Sequence, residues 1–345
     1  MKIAALLPHV QVFGGVRRYL ELGNEFVRKG HSFTLFHPAG SAPGWLEFIG
    51  EPRPFSALEE DSFDAALCGE YAILPYFDRI RARDKYFYFV LEGHKMEREV
   101  AGRPYRFLGN SEGICRRLER KYGLKPIRAP GGVNPAIFHP LDRPEERETF
   151  NVLCYGRIYK RRKGVPIVIR AVESLARRHP NLKLVFFDTL VGDDRRDPRP
   201  LIKTRIPFDF HMNLPQDKMA WLFGQADVFA TAERRAGWAN TAAEAMACGV
   251  PVVCTPSGSR DFAEDGRTAL VAPYPLAGPI RRRIERLIVD GPLRRRLSEA
   301  GTARIAEFTW SRLADRLIEV FPAAERTPPL HAAEAAAVEN HGRPR

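Results

Sequence analysis

The chain has 345 residues, of which 44% are apolar and 28% charged, and a formal net charge of +12; these are values of a soluble globular protein long enough for two domains of ordinary size. No apolar run reaches the roughly 18 to 20 residues of a membrane-spanning helix, and no small-residue cleavage site follows the short apolar start, so a cytoplasmic location is expected. The five cysteines (Cys68, Cys115, Cys154, Cys248 and Cys254) form no CxxC pair and no His–Cys grouping, which argues against a disulfide framework or a zinc site and for reduced thiols packed as small hydrophobes.

In chain order, "KIAALLP" reads as a first strand, "GVRRYLELGNEFVRKGH" as a helix closed by Gly30, and "SFTLFHP" as a second strand. Further strands follow at "DAALCG", "YFYFVLE" and "RFLGNS". Strands alternating with helices predict a parallel sheet of βαβ type. The polar, Pro-containing stretch 141–150 reads as a linker after a first domain at 1–140. The alternation then resumes with strand "NVLCYG", helix "GVPIVIRAVESLARRHP", strand "LKLVFFD", helix "DKMAWLFGQAD", strand "VFATA", helix "NTAAEAMACG" and strand "VPVVCT". The expected fold is α/β: two doubly wound, Rossmann-like parallel-sheet domains, the second at 151–305. A continuous amphipathic pattern predicts helix to Phe321, its last part over 306–321, and the Pro-, Ala- and charge-rich tail 322–345 has little to bury. Ligands of open α/β sheets bind outside the carboxyl ends of the strands, so a cleft between two such domains is the expected site.

Three loops carry chemistry. In "YGRIYKRRKG" a strand ends at glycine and a loop of five basic residues precedes a helix starting near Gly164. At the carboxyl edge of a sheet, Arg157 offers a planar fork of donors and Lys163 a movable point charge, a pair suited to a diphosphate. A solvated basic loop is the plainer interpretation of the charge alone. In "VFGGVRRYL", Gly14 and Gly15 let backbone approach a ligand at a helix start; the pattern is not GxGxxG, so no dinucleotide cofactor is indicated. In "RRAGWANTAAEAMACGVPVV", Asn240 is the expected N-cap and Gly249 the closure of a helix holding one carboxylate, Glu244, about a turn from its start. That carboxylate either complements the helix dipole, worth about 0.3–1 kcal/mol, or accepts paired hydrogen bonds from vicinal sugar hydroxyls.

The order of these blocks resembles a retaining glycosyltransferase of the GT-B fold, glycosyltransferase family 4. The resemblance also runs through "LGNSEGICRRLERKYG", "APGGVNPAIFHP", "MNLPQDKMAWLFGQADVFATA", "PSGSRDFAEDGRTALV" and "FTWSRLADRLIEVF", spanning roughly residues 1 to 320. It implies a nucleoside-diphosphate-sugar donor and a cell-surface polysaccharide, lipid-linked or other glycan acceptor. It further implies no metal or other cofactor, no protein nucleophile, and a last helix that crosses back onto the first domain. Arg157 and Lys163 would neutralise the departing diphosphate, and Glu244 would hold the ribose. Backbone around Gly237, Trp238, Asn240 and Thr241 would face the phosphates and sugar, with Gly14 and Gly15 opposite, and the loop Met212–Pro215 would border the base. Glu92 and His94 are candidate contacts to sugar or acceptor. The family's first motif Glu is here Ala236, which points to altered donor choice or to a nucleotide-sugar-binding module without turnover; Glu233, three residues earlier, is a candidate substitute.

Asp193 and Asp194 read as loop charge rather than a metal pair. Basic residues are spread over many helices, as at Arg116–Arg117 and Arg294–Arg296, rather than gathered with aromatics on one surface, so nucleic acid is not an expected partner. The charge instead fits peripheral contact with an anionic membrane face.

Overall fold

The computed structural model describes residues 1–141, 148–191 and 196–323, with side chains to Phe321. Asp193, Asp194, most of the 141–150 stretch and the tail beyond 323 lie outside the described residues. The chain divides into two units, one of Met1–Val10, Gly15–Pro130 and Ser311 onward, the other of Gln11–Gly14 and Gly131–Trp310.

The first unit is built on seven strands: β1 (Lys2–Leu6), β2 (Ser32–His37), β3 (Glu51–Pro54), β4 (Ser62–Cys68), β5 (Arg81–Phe89), β6 (Arg106–Gly109) and β7 (Ile127–Arg128). All pair in parallel, in the order β3-β2-β1-β4-β5-β6-β7. Helices flank the sheet, so its central strands are buried on both faces and read as nearly unbroken apolar runs. Helix ends follow local chemistry. Ser111 caps the helix Glu112–Tyr122 by accepting from the Ile114 N–H at 3.2 Å, and Gly123 closes it at φ 65°. The last helix, Trp310–Ala323, packs in this unit: Phe321 lies 4.6 Å from the Tyr86 ring and its carbonyl accepts from the Tyr86 hydroxyl at 3.0 Å.

The second unit holds β8 (Phe150–Tyr155), β9 (Leu182–Asp188), β10 (Phe208–Met212), β11 (Val228–Ala230), β12 (Val252–Cys254) and β13 (Leu270–Val271), again all parallel, in the order β10-β9-β8-β11-β12-β13. Alternate residues feed two cores. Leu153, Val185, Phe187 and Phe229 enter one, and Val152, Cys154, Phe186 and Val228 the other.

Three expectations need correction. The chain leaves the first unit at Pro130 rather than near 140, because Val133 and Phe138 are buried in a core of the second unit. The C-terminal amphipathic stretch is two helices, Gly291–Ile305 and Trp310–Ala323, rather than helix through 306. Between them Phe308 and Thr309 run beside Val133, whose N–H donates to the Phe308 carbonyl at 2.8 Å, an arrangement a continuous helix would forbid. Asn240 is the first helical residue and not the cap, which falls at Ala239 without a side-chain bond. Its amide side chain instead lies against Gly14, where an added Cβ would come within 2.2 Å of Nδ2.

Candidate functional site

In each sheet the strand order reverses beside the first strand, between β1 and β4 and between β8 and β11. Loops leaving the carboxyl ends of two such strands go to opposite faces and open a crevice there. In the second unit those loops start at Tyr155 and Ala230, and they carry Arg157, Lys163 and Glu233.

Glycine sets the path of the first loop. A Cβ on Gly156 would stand 2.5 Å from the Phe210 ring, and one on Gly164 would stand 2.2 Å from the Ala232 carbonyl oxygen. Gly164 also holds φ 67°, the left-handed region that glycine occupies without strain, at the N-cap of the helix Val165–Glu173. The loop is thereby clamped to the chain leaving β11, where the Arg234 N–H donates to the Arg162 carbonyl at 2.9 Å.

Two cations converge on one ring. The Arg157 guanidinium lies 5.4 Å from the centroid of Tyr155 and the Lys163 Nζ 5.2 Å, within cation–π range. Arg157 is 8% exposed and donates from Nε at 3.0 Å to Asp188 Oδ1 and from Nη2 at 2.6 Å to the Thr189 carbonyl. Burial works against its charge, but Tyr155 and Asp188 outweigh that and raise its pKa. Burial, and then the charge of Asp188, pushes the Tyr155 hydroxyl far up, so it stays protonated. Lys163 forms a short ion pair with Glu233, whose side chain is 5% exposed. The cluster thus holds two positive and two negative groups.

The segment after Glu233 is fixed from β12's loop. The Ala236 N–H donates to Ser257 Oγ and the Ala239 N–H to the Gly258 carbonyl, each at 2.9 Å. Trp238 points its indole into the core, 4.8 Å from Phe262 and 5.3 Å from Phe308, so only its backbone is placed for a ligand. The Asn240 N–H is turned back to the Trp238 carbonyl at 3.1 Å. Among the described residues nothing accepts from the N–H groups of Gly237, Trp238 and Thr241, which stand at the start of the helix Asn240–Ala247. Free amides at a helix start are anion donors. Glu244 is half-buried on that helix. The loop Met212–Pro215 is drawn toward the same anchor as Arg157: the Asn213 N–H donates to the Asp188 carbonyl at 2.9 Å, and Asn213, at φ 57°, accepts from the Leu190 N–H at 2.8 Å.

In the first unit, Gly15 is the second residue of the long helix Gly14–Arg28, and the position of a Cβ on it lies 3.9 Å from Glu70 Oε1. Glu70 leaves the carboxyl end of β4, and burial raises its pKa. His94 is exposed and stacks on Tyr71 at 3.9 Å and 13°. Its Nδ1 accepts from the Met96 N–H at 3.2 Å, which places the neutral ring's proton on Nε2. Glu92 is half-buried on the same loop. That loop is tied down by Glu97, buried and bonded by Arg117 at 2.6 Å, Tyr122 at 2.8 Å and the Gly93 N–H at 3.0 Å.

Burial alone would raise the Glu97 pKa, but these donors overcome it and hold it at about 2. A depressed carboxylate contributes stability above its unfolded value, near 4.3, and that contribution is lost as pH falls from there towards 2. Glu97→Gln is expected to cost on the order of 2 kcal/mol at pH 7, discounted for the solvent around Lys121. Urea melts at pH 6 and pH 3 should show the gap between variant and wild type narrowing at the lower pH; a constant gap would refute the ionic role.

Sequence reasoning passed over Asp188, Tyr155 and Glu70. Each sits at the carboxyl end of a central strand, which was the available signal: "LKLVFFD" and "DAALCGE" both run from apolar strand into a carboxylate.

Residues 138–304 match a family model described as glycosyl transferases group 1. The D-inositol 3-phosphate glycosyltransferase of Pseudarthrobacter chlorophenolicus is 30% identical over 245 residues, 66% of this chain and 58% of that protein. The protein of the same name from an Arthrobacter species is 31% identical over 209 residues, 57% of this chain and 49% of its own. The chain therefore spans about half of the curated relatives it matches. Among solved structures, sucrose-phosphate synthase from Thermosynechococcus elongatus is similar with a TM-score of 0.75 at 17% identity, covering 97% of this chain and 99% of that one. Anabaena HepE in complex with UDP and glucose is similar with a TM-score of 0.72 at 15% identity, covering 94% and 100%. The fold of both units is that of GT-B enzymes.

Proposed function

We propose that this protein, which over residues 138–304 matches the model of the glycosyl transferases group 1, is a retaining glycosyltransferase acting on a nucleoside diphosphate sugar. The observation that carries the reading is the convergence of Arg157 and Lys163 on Tyr155 at the point where the second sheet reverses its strand order. In the reaction, the bond from the anomeric carbon to the diphosphate oxygen breaks and its electron pair stays on the phosphate. The acceptor hydroxyl forms the new bond on the same face, and its proton passes to the departing phosphate oxygen. Cations held next to that developing charge are the largest catalytic term available. The amides of Gly237, Trp238 and Thr241 add donors to the phosphates and Glu244 holds the ribose hydroxyls. No metal is needed in this scheme, because cationic side chains do its work.

The complex of HepE with UDP and glucose supports starting a donor panel with UDP-sugars. A donor at about 100 times its Kd should raise stability by about 2.7 kcal/mol in thermal unfolding. The reading fails if no nucleoside diphosphate sugar shifts the melt. Glu244→Ala is expected to weaken donor binding about tenfold, the loss of roughly 1.4 kcal/mol of hydrogen bonding; calorimetry that finds the affinity unchanged removes Glu244 from the site.

Ala236 favours a second reading, a donor-binding module without turnover, because the residue offers only a methyl group, pressed toward Gly258. Nucleotide release in the presence of acceptors separates the two. The acceptor in the first reading is a cell-surface polysaccharide, a lipid-linked precursor or another glycan, and a basic protein would meet a lipid-linked one at an anionic membrane face. No described helix is long and apolar enough to cross a membrane. Binding to anionic vesicles at low salt, lost at high salt, would support peripheral contact.

A further inference from the structure

We propose that Glu233 is an internal competitor for the donor's diphosphate: it occupies Lys163 when the site is empty, yields it to the incoming phosphate, and takes it back to expel the nucleotide product. This rests on the donor reading above and concerns how that same site is regulated.

The charge balance is the starting point. Arg157 and Lys163 are matched by Asp188 and Glu233, so the cluster is close to neutral. A diphosphate entering a neutral, largely desolvated cluster gains little from the two cations while both remain paired, since each cation's field is cancelled within a few ångströms. One carboxylate has to give way, and the two are not held alike. Asp188 ends a buried strand, is 2% exposed, and accepts from Arg157 Nε, Arg157 Nη2 and the Thr189 N–H. Glu233 lies on the loop after β11, and among the described residues the partner of its carboxylate is Lys163 alone. Its own backbone is pinned, with its carbonyl accepting from Thr255 Oγ1 at 2.6 Å, so the side chain can swing while the loop stays in place. Lys163 is the matching movable partner, on a flexible stem with a side chain 21% exposed, whereas the Arg157 fork is already spent on Asp188 and Thr189.

Once displaced, Glu233 is a carboxylate with almost no access to water and needs new donors. Hydroxyls of the transferred sugar, next to the diphosphate, supply them; a bare nucleoside diphosphate does not. The exchange therefore costs less with the sugar nucleotide than with the nucleotide alone. After transfer the sugar is gone, and return of Glu233 to Lys163 favours release of the product. The opposite role, in which Glu233 merely orients Lys163, predicts that loss of its charge weakens binding of the nucleoside diphosphate instead of tightening it.

The test is calorimetry of UDP and UDP-glucose with wild type, Glu233→Gln, Glu233→Asp and Lys163→Met, repeated with whichever nucleotide stabilises the wild type most. Glu233→Gln keeps the shape and removes the charge. It should bind the nucleoside diphosphate about tenfold more tightly than wild type, and the sugar nucleotide with a smaller gain or a loss. Product inhibition should deepen by the same factor. Glu233→Asp, which keeps the charge at shorter reach, should fall between, and it carries the test if the Gln variant does not fold by circular dichroism. In the Lys163→Met background Glu233→Gln should lose most of that gain for the nucleoside diphosphate. Weaker binding of both ligands to Glu233→Gln, or an equal change in both, overturns the competitor role while leaving the donor reading standing. Failure of every nucleotide to bind the folded wild type overturns both.

Discussion

Lys163→Ala is expected to lower turnover of the donor by about 10²–10³-fold, the usual loss when one group that stabilises a developing anion is removed. The ammonium is the cation of the pair with freedom to follow the phosphate as its charge grows, since Arg157 is committed to Asp188 and Thr189. The substitution also strands Glu233, a 5% exposed carboxylate, without its cation. The double variant Lys163→Ala/Glu233→Gln separates these effects: it should recover stability without recovering rate. Lys163→Arg should recover only part of the rate, because a planar fork does not replace a point charge on a flexible stem. Single-turnover nucleotide release is the measurement, and a fall of less than about threefold would remove Lys163 from the chemistry.

Gly164→Ala is expected to be the most damaging single methyl group in the second unit. Its Cβ would lie 2.2 Å from the Ala232 carbonyl oxygen and 2.7 Å from the carbonyl carbon. Both are backbone atoms, with no flexible side chain to yield. The position also holds φ 67°, which costs an L-residue about 1–2 kcal/mol on its own. Together these point to a loss of about 3 kcal/mol or more in a denaturant melt. The damage reaches function too, since Ala232 and Gly164 adjoin the two ends of the Lys163–Glu233 pair. Gly224→Ala is the control: nothing lies within 4 Å of its Cβ position, so it should be neutral or stabilise by up to about 1 kcal/mol. Melts of the two variants within about 1 kcal/mol of each other would disprove the clash.

Much of this was legible in the amino-acid sequence where burial is two-sided. β1, β2, β4, β8 and β9 are apolar runs because helices cover both faces of each sheet. What escaped was short, exposed or set by distant contacts. β3 reads Glu-Pro-Arg-Pro, a pattern that argues against a strand until its place at the sheet edge is known. β10 is half-exposed, and β7 and β13 are two residues each. The break between the last two helices depends on Val133, far away in sequence. Likewise the position of Arg157 and Lys163 after a glycine-ended strand could be read locally, whereas their pairing with Asp188 and Glu233 spans 31 and 70 residues and exists only through space. Asn240 had the chemistry of a cap but lost the position to Ala239, its side chain directed to Gly14.

The prolines of β3 have one more effect. Pro52 and Pro54 pair with Leu35 and His37 of β2, and neither can donate a hydrogen bond. A ladder with β2 therefore forms only if their ring nitrogens face away from it, and the outer margin of the sheet is left without N–H groups at alternate positions. Another extended chain arriving there finds no register to copy, and the flanking charges of Glu51 and Arg53 discourage it further. The margin of a seven-stranded sheet is in this way a dead end for templated growth, and Pro52→Thr would be the change that reopens it to self-association.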